Sequence, residues 1–131
     1  MIPPNVPLRV QNLPVFKQAI EVMRLSTQIS QNFVDDLNQE CVSFEDPEYY
    51  YSGDIIQQCK HLVPEIIKAE SESLHERKYK HAATVKRLTK LLYKNCERLK
   101  RSRTTSRDFL PILQTELQKF HKLQRHWMLT L

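Results

Sequence analysis

A single glycine, Gly53, is present among the 131 residues of this chain, and its scarcity restricts the possible folds more than any other feature. Average usage would give roughly nine glycines in a chain of this length. Tight strand-to-strand turns and phosphate-binding loops use glycine because it adopts positive φ angles without a steric penalty. An all-β fold and a nucleotide-binding α/β fold are therefore disfavoured, and long helices joined by few loops are expected.

Apolar residues recur at alternating steps of four and three, which is the spacing of a coiled-coil seam. Three such runs predict helices over about 15–44, 54–102 and 108–128, and Pro64 lies inside the second. The central helix is about as long as the outer two together, so each outer helix is expected to pair with one half of it. We therefore predict an all-α fold, an elongated three-helix antiparallel hairpin with a coiled-coil-like seam and a Pro-kinked central helix, forming one domain over 15–131. The alternative is a compact bundle in which the central helix bends at Pro64 and every apolar stripe packs internally.

The first 14 residues contain four prolines, which prevent a long helix there. We predict an extended Pro-rich arm over 1–14. Val6 and Val10 are among its apolar residues, so the arm is either loose or lies along the helices or a partner.

The apolar stripes of the first and third helices are wider than one antiparallel neighbour can cover. We therefore expect other helical chains, or a second copy of this chain, to cover the remainder. The predicted partner-binding residues are Phe16, Ile20, Met23, Val34, Leu37, Leu110, Leu113, Leu117, Phe120 and Trp127.

Positive charge is concentrated between residues 82 and 107, where nine basic residues face one acidic residue. This run exceeds the net charge of +5 of the whole chain. It is either a solvated face near a helix C-terminus, a surface for an acidic protein or for nucleic acid, or a nuclear-import or membrane-contacting segment. The predicted basic patch consists of Lys86, Lys90, Lys94, Arg98, Lys100, Arg101 and Arg103.

Two hydroxyl residues that follow the basic run are candidate phosphorylation sites. Thr104 and Ser106 each have an arginine three residues earlier, which is a context that basophilic kinases use. A phosphate there would lie near the start of the third helix, where the helix dipole stabilises it.

Three consecutive tyrosines, residues 49–51, lie in an acidic stretch that also contains Pro47 and Gly53. We predict a turn over 45–54, because both residues interrupt helices. Its aromatic rings either pack over the helix ends, undergo modification, or dock on a basic partner surface.

The chain offers little that indicates enzymatic chemistry. One Glu-x-x-His pair, Glu72 and His75, has the spacing of di-iron bundles, but no second pair accompanies it. The cysteines Cys41, Cys59 and Cys96 are widely spaced and are expected to be small core residues with free thiols. We therefore expect no catalytic residue, no metal, no cofactor and no small-molecule substrate.

The N-terminus does not resemble a signal peptide, and no stretch approaches the length of a membrane span. These features indicate an intracellular protein, and the basic run favours the nucleus over the cytoplasm. In general character the pattern is similar to small helical subunits of multi-protein assemblies. The expected function is a non-catalytic scaffold or adaptor subunit that assembles with other helical chains. The alternative is a basic helical module that binds nucleic acid without sequence specificity.

Overall fold

The structure is a computed structural model that describes residues 5–40, 47–101 and 110–131, with side chains over 5–28, 54–98, 100–101 and 110–131. All regular secondary structure in these residues is α-helical, which confirms the predicted all-α class. The helices are α1 (Leu8–Gln11), α2 (Pro14–Glu40), α3 (Pro47–Ser71), α4 (His75–Lys100) and α5 (Leu110–Leu129). Of these helices, none is long and apolar enough to cross a membrane over its described residues.

The four long helices form a closed ring. Helix α2 packs against α3 and α5, and α4 packs against the same two helices. Helices α3 and α4 are antiparallel, since Gln58 bonds to Asn95 while Glu65, further along α3, bonds to His81, which is earlier in α4. The predicted pairing of each outer helix with one half of the central segment is found, as α2 with α3 and α5 with α4. Each of these helices also has a second neighbour. The arrangement therefore differs from the elongated hairpin and lies closer to the compact alternative.

The chain reverses direction where a continuous central helix is predicted, over 54–102. Helix α3 ends before Glu72, whose carboxylate accepts hydrogen bonds from the backbone N–H groups of Ser73 and Leu74 at 3.2 and 3.4 Å. The Leu74 carbonyl then accepts the N–H groups of Arg77 and Lys78, which opens α4. Side chains that bond to the nearby backbone compete with the helical hydrogen-bond ladder. The single central helix is thus replaced by two antiparallel helices.

Proline and glycine act differently in the structure than the sequence pattern suggests. Pro64 lies inside α3, and the helix continues past it to Ser71. Helix α3 begins at Pro47, since a proline in the first turn has no N–H that needs a partner. Gly53 is consequently a helical residue without a positive φ angle, and the predicted start of this helix at residue 54 is wrong. Residues 41–46 and 102–109, which hold the rest of the predicted corners, lie outside the described residues.

The proline-rich arm is partly helical. Helix α1 forms a single turn between Pro7 and Pro14, because the four residues from Leu8 contain no proline. Val10 is fully buried and Val6 is 9% exposed, so this arm packs on the bundle and contributes to its core. The prediction of an extended arm is wrong over α1. Of the two alternatives for the arm, the structure shows the one in which it lies along the helices.

The core lies inside the ring and draws on all four long helices. Asn95 is a buried polar residue within it, and its side-chain amide donates to Gln58 of α3 at 3.1 Å. The sequence pattern makes Asn95 a candidate register-setting residue in the seam expected to hold the third helix, whereas this bond links α4 to α3. The largest fully buried apolar side chains are Phe16, Ile55, Leu62, Ile66, Leu92, Leu110, Leu113, Leu117 and Phe120.

Glu70, at the end of α3, joins the arm to the last helix. One carboxylate oxygen accepts the Arg9 guanidinium at 2.7 Å, and the other accepts the indole N–H of Trp127 at 2.7 Å. Burial raises the pKa of Glu70, but the bonds from Trp127 and Arg9 outweigh it and hold that pKa below its ordinary value of 4.5. The three residues bring the end of α3, the end of α5 and the arm before α2 to one end of the bundle.

The Glu70→Gln variant is expected to be about 1–2 kcal/mol less stable than the wild type at neutral pH, because it loses a charge-assisted acceptor. A carboxyl with a depressed folded-state pKa stabilises the fold above its unfolded pKa and ceases to do so as pH falls through the folded value. The difference between the two proteins should therefore shrink below about pH 4.5. Urea unfolding at several pH values measures it. Glu76→Gln, at an exposed position, is the control, and a Glu70 effect that does not vary with pH would contradict the assignment.

Candidate anion-binding groove

Most of the predicted partner-binding residues lie in the core of the chain itself. Phe16, Leu110, Leu113, Leu117, Phe120 and Trp127 are each at most 4% exposed, and Ile20 packs against them with partial burial. Met23 is half-buried, and the side chains of Val34 and Leu37 lie outside the described residues. Neighbouring helices of the same chain therefore cover most of the described residues for which the sequence pattern predicts a partner.

The predicted basic patch divides into two parts. Lys90 and Lys94 line an open groove of about 600 Å³ between α4 and α5. Lys86 lines the adjoining cavity of about 430 Å³. Arg98, Lys100 and Arg101 are exposed near the end of α4 but do not line either of these spaces. Arg103 and the candidate phosphorylation sites Thr104 and Ser106 lie outside the described residues.

Helix α5 contributes the second wall of this groove with Lys122 and Arg125, which line both spaces and make them continuous. These two residues are one turn apart on α5, and Lys86, Lys90 and Lys94 are each one turn apart on α4. None of the residues that line the two spaces is acidic. We call this feature the basic groove, defined by the cations Lys86, Lys90, Lys94, Lys122 and Arg125.

The cations of the basic groove form no ion pair with any described residue. The nearby acidic residues of α4 and α5 are engaged elsewhere. Glu116 accepts bonds from Gln18 of α2 and from Lys119, and these bonds lower its pKa. Glu97 accepts the side-chain amide of Gln114 at 2.7 Å. The positive charge of the groove is therefore not neutralised by these two carboxylates.

The floor of the basic groove is largely apolar. Leu117 and Thr89 are buried beneath it at 1% and 4% exposure, while Tyr93 is 37% exposed at its side. The hydroxyl of Thr89 donates to the Val85 carbonyl of its own helix at 2.8 Å, so it presents its methyl group rather than a free polar group to the surroundings. A groove with an apolar floor and cationic walls fits a ligand that combines apolar groups with negative charge.

The sequence pattern indicates the α4 wall of the basic groove but not the α5 wall. The lysines of α4 belong to a dense basic run, which is visible in the sequence alone. Lys122 and Arg125 are two of several scattered charges in α5, and only tertiary packing brings them opposite the lysines of α4. Their one-turn spacing is a weak signal that becomes informative only when α4 and α5 are known to be neighbours.

The two described cysteines lie inside the bundle, as predicted. Cys59 and Cys96 are fully buried with free thiols, and burial raises the pKa of each to about 12. Thiols with so high a pKa are poor nucleophiles at neutral pH, because the thiolate is the reactive form. Cys41 lies outside the described residues.

Within the described ranges, no group of three or more His, Cys, Asp or Glu side chains is close enough to hold a metal ion. Comparisons with protein-family models, with curated proteins and with solved structures found no significant match to this chain. The basic groove is the surface from which we infer a function.

Proposed function

We propose that this chain is a non-catalytic helical adaptor subunit that docks onto an acidic segment of a partner protein through the basic groove. The observation that carries the proposal is the convergence of five cations from two helices around an apolar floor, with no acidic residue lining it. Helix-in-groove and extended-segment recognition both use an apolar contact for affinity and charged walls for orientation.

The internal packing of the bundle also supports an adaptor. Most described residues of the predicted apolar stripes lie in the chain's own core, so the basic groove replaces those stripes as the candidate contact surface. Complementary charge across an interface raises the association rate and excludes like-charged partners more than it raises affinity. A docking subunit of this kind would select acidic segments and bind them reversibly.

Binding of fluorescein-labelled polyglutamate, followed by fluorescence anisotropy, tests the proposal. The double variant Lys90→Glu/Lys94→Glu is expected to weaken binding by about tenfold or more, because two attractive charges become repulsive. The control is Lys17→Glu/Lys60→Glu, which makes the same change in net charge at exposed positions outside the groove. If both double variants weaken binding equally, net charge alone attracts the ligand and the groove has no special role.

Nucleic acid is the second candidate ligand. Lys86, Lys90 and Lys94 form a row with about 6 Å between successive residues, and the half-exposed Tyr93 beside them offers a ring for base stacking. Such contacts would be independent of sequence. A labelled DNA duplex in the same assay distinguishes this candidate, since its affinity should fall steeply with salt and a flat response would exclude it.

A further inference from the structure

The sequence contains a segment whose chemistry is complementary to the basic groove. Residues 35–54 carry seven carboxylates and no lysine or arginine, although the chain as a whole has a net charge of +5. The same segment holds four aromatic residues, which are interspersed with the carboxylates. The acidic residues are Asp35, Asp36, Glu40, Glu45, Asp46, Glu48 and Asp54, and the aromatic residues are Phe44, Tyr49, Tyr50 and Tyr51.

The described parts of the acidic segment belong to α2 (residues 35–40) and α3 (residues 47–54), whereas the groove lies between α4 and α5. Gln18 of α2 bonds to Glu116, the neighbour of the groove residue Leu117, so this part of α2 lies level with the groove. Helix α2 then continues to Glu40, which is 22 residues beyond Gln18 and about 33 Å further along the axis. Residues 35–40 therefore lie well beyond the level of Gln18 along α2, and a second copy of the chain can present its acidic segment to the groove.

We propose that the occupant of the basic groove is the acidic segment 35–54 of a second copy of this chain. The inference rests on the proposed function, since it uses the same groove and names the partner. Seven carboxylates face five cations, and aromatic side chains suit both the apolar floor and the lysines, which attract aromatic faces. Because each copy has one groove and one acidic segment, the contact either is reciprocal in a two-fold dimer or joins molecules head to tail, as a ring if it closes and a filament if it does not.

Sedimentation velocity of the full-length chain tests the self-docking. The weight-average sedimentation coefficient of the wild type is expected to rise with concentration up to about 100 µM, the range of modest interfaces. It should return to the monomer value in about 1 M NaCl, where the Debye length is about 3 Å. Lys90→Glu/Lys94→Glu and the segment variant Glu45→Lys/Asp46→Lys should each stay monomeric. Lys17→Glu/Lys60→Glu should associate like the wild type.

Mixing the two defective variants provides the decisive measurement. The groove variant keeps an intact acidic segment and the segment variant keeps an intact groove, so an equimolar mixture should associate although neither variant does so alone. A mixture that stays monomeric would overturn the proposal, as would association that persists in either variant alone or in high salt. If the wild type is monomeric yet binds polyglutamate through the groove, self-docking is wrong and the adaptor function stands with a different acidic partner.

Discussion

Replacing Phe120 by alanine is expected to lower the free energy of unfolding by about 3–5 kcal/mol, because the ring is fully buried and its removal leaves a cavity. Phe120 lies on α5 between α2 and α4, both of which pack against that helix, so several helices lose contacts at once. The Ile112→Ala variant is the matched control on the same helix, since Ile112 is 51% exposed. It should cost less than about 1 kcal/mol.

Urea unfolding of purified variants, followed by far-UV circular dichroism, measures both changes. The result distinguishes two roles for Phe120. The structure places it in the internal core, whereas the sequence pattern predicts that it contacts a partner. A Phe120→Ala variant that unfolds like the wild type but no longer associates would contradict the buried position. A large loss of stability in the isolated chain would show that α5 completes its own bundle.

The helical class could be predicted because it depends on local properties of the chain. The chain has one glycine and a regular four-three spacing of apolar residues. Helices satisfy the backbone hydrogen bonds of such a chain without the glycine-containing turns that sheets need. The buried position of Asn95 also agrees with the seam spacing, which places this polar residue among leucines, but its pairing with Gln58 does not follow from a single continuous helix over 54–102. The helical class and the seam position of Asn95 require no knowledge of which helices are neighbours.

The closure of the ring could not be predicted with the same reasoning. Periodicity shows that a helix has an apolar face but does not identify the helix that covers it. The sequence pattern therefore predicts that a partner covers the wide apolar stripes of the first and third helices. The outcome depends on the reversal after Ser71, where Glu72 bonds to the backbone of Ser73 and Leu74. Residues 68–81 are mostly polar, but proline is the stronger helix breaker, so the sequence pattern places the distortion at Pro64 rather than after Ser71. Tertiary packing overrode that preference, and the helix continues through Pro64.

The basic groove illustrates the same limit at the level of function. One wall is a local charge run, whereas the other consists of Lys122 and Arg125, whose relevance follows only from the contact of α5 with α4. Once the ring closes, most described residues of the predicted stripes lie in the core, and the cations of the basic groove remain exposed. The functional hypothesis therefore moves from apolar stripes to a charged groove.

A stabilising substitution is expected at Gln124, the polar residue that fills a position in the apolar seam of α5. Its side chain is fully buried, its Nε2 donates to the Met128 sulfur at 2.7 Å, and its Oε1 has no hydrogen-bond partner among the described residues. A buried acceptor without a partner costs about 1–3 kcal/mol, and a sulfur is a weak acceptor in return. Gln124→Met preserves the length of the side chain and removes the unpaired oxygen, so it should raise the free energy of unfolding by about 1–3 kcal/mol.

Gln114 supplies the matched control, because it is also buried on α5 but its amide donates to Glu97 at 2.7 Å. Gln114→Met removes a satisfied bond to a carboxylate, so it should bring no gain and cost about 1 kcal/mol or more. Urea unfolding of both variants measures the contrast. Changes of opposite sign in the free energy of unfolding at the two positions would establish that Gln124 destabilises the bundle, whereas Gln114 stabilises it. A loss of stability in Gln124→Met would mean that the amide oxygen is hydrogen-bonded in solution.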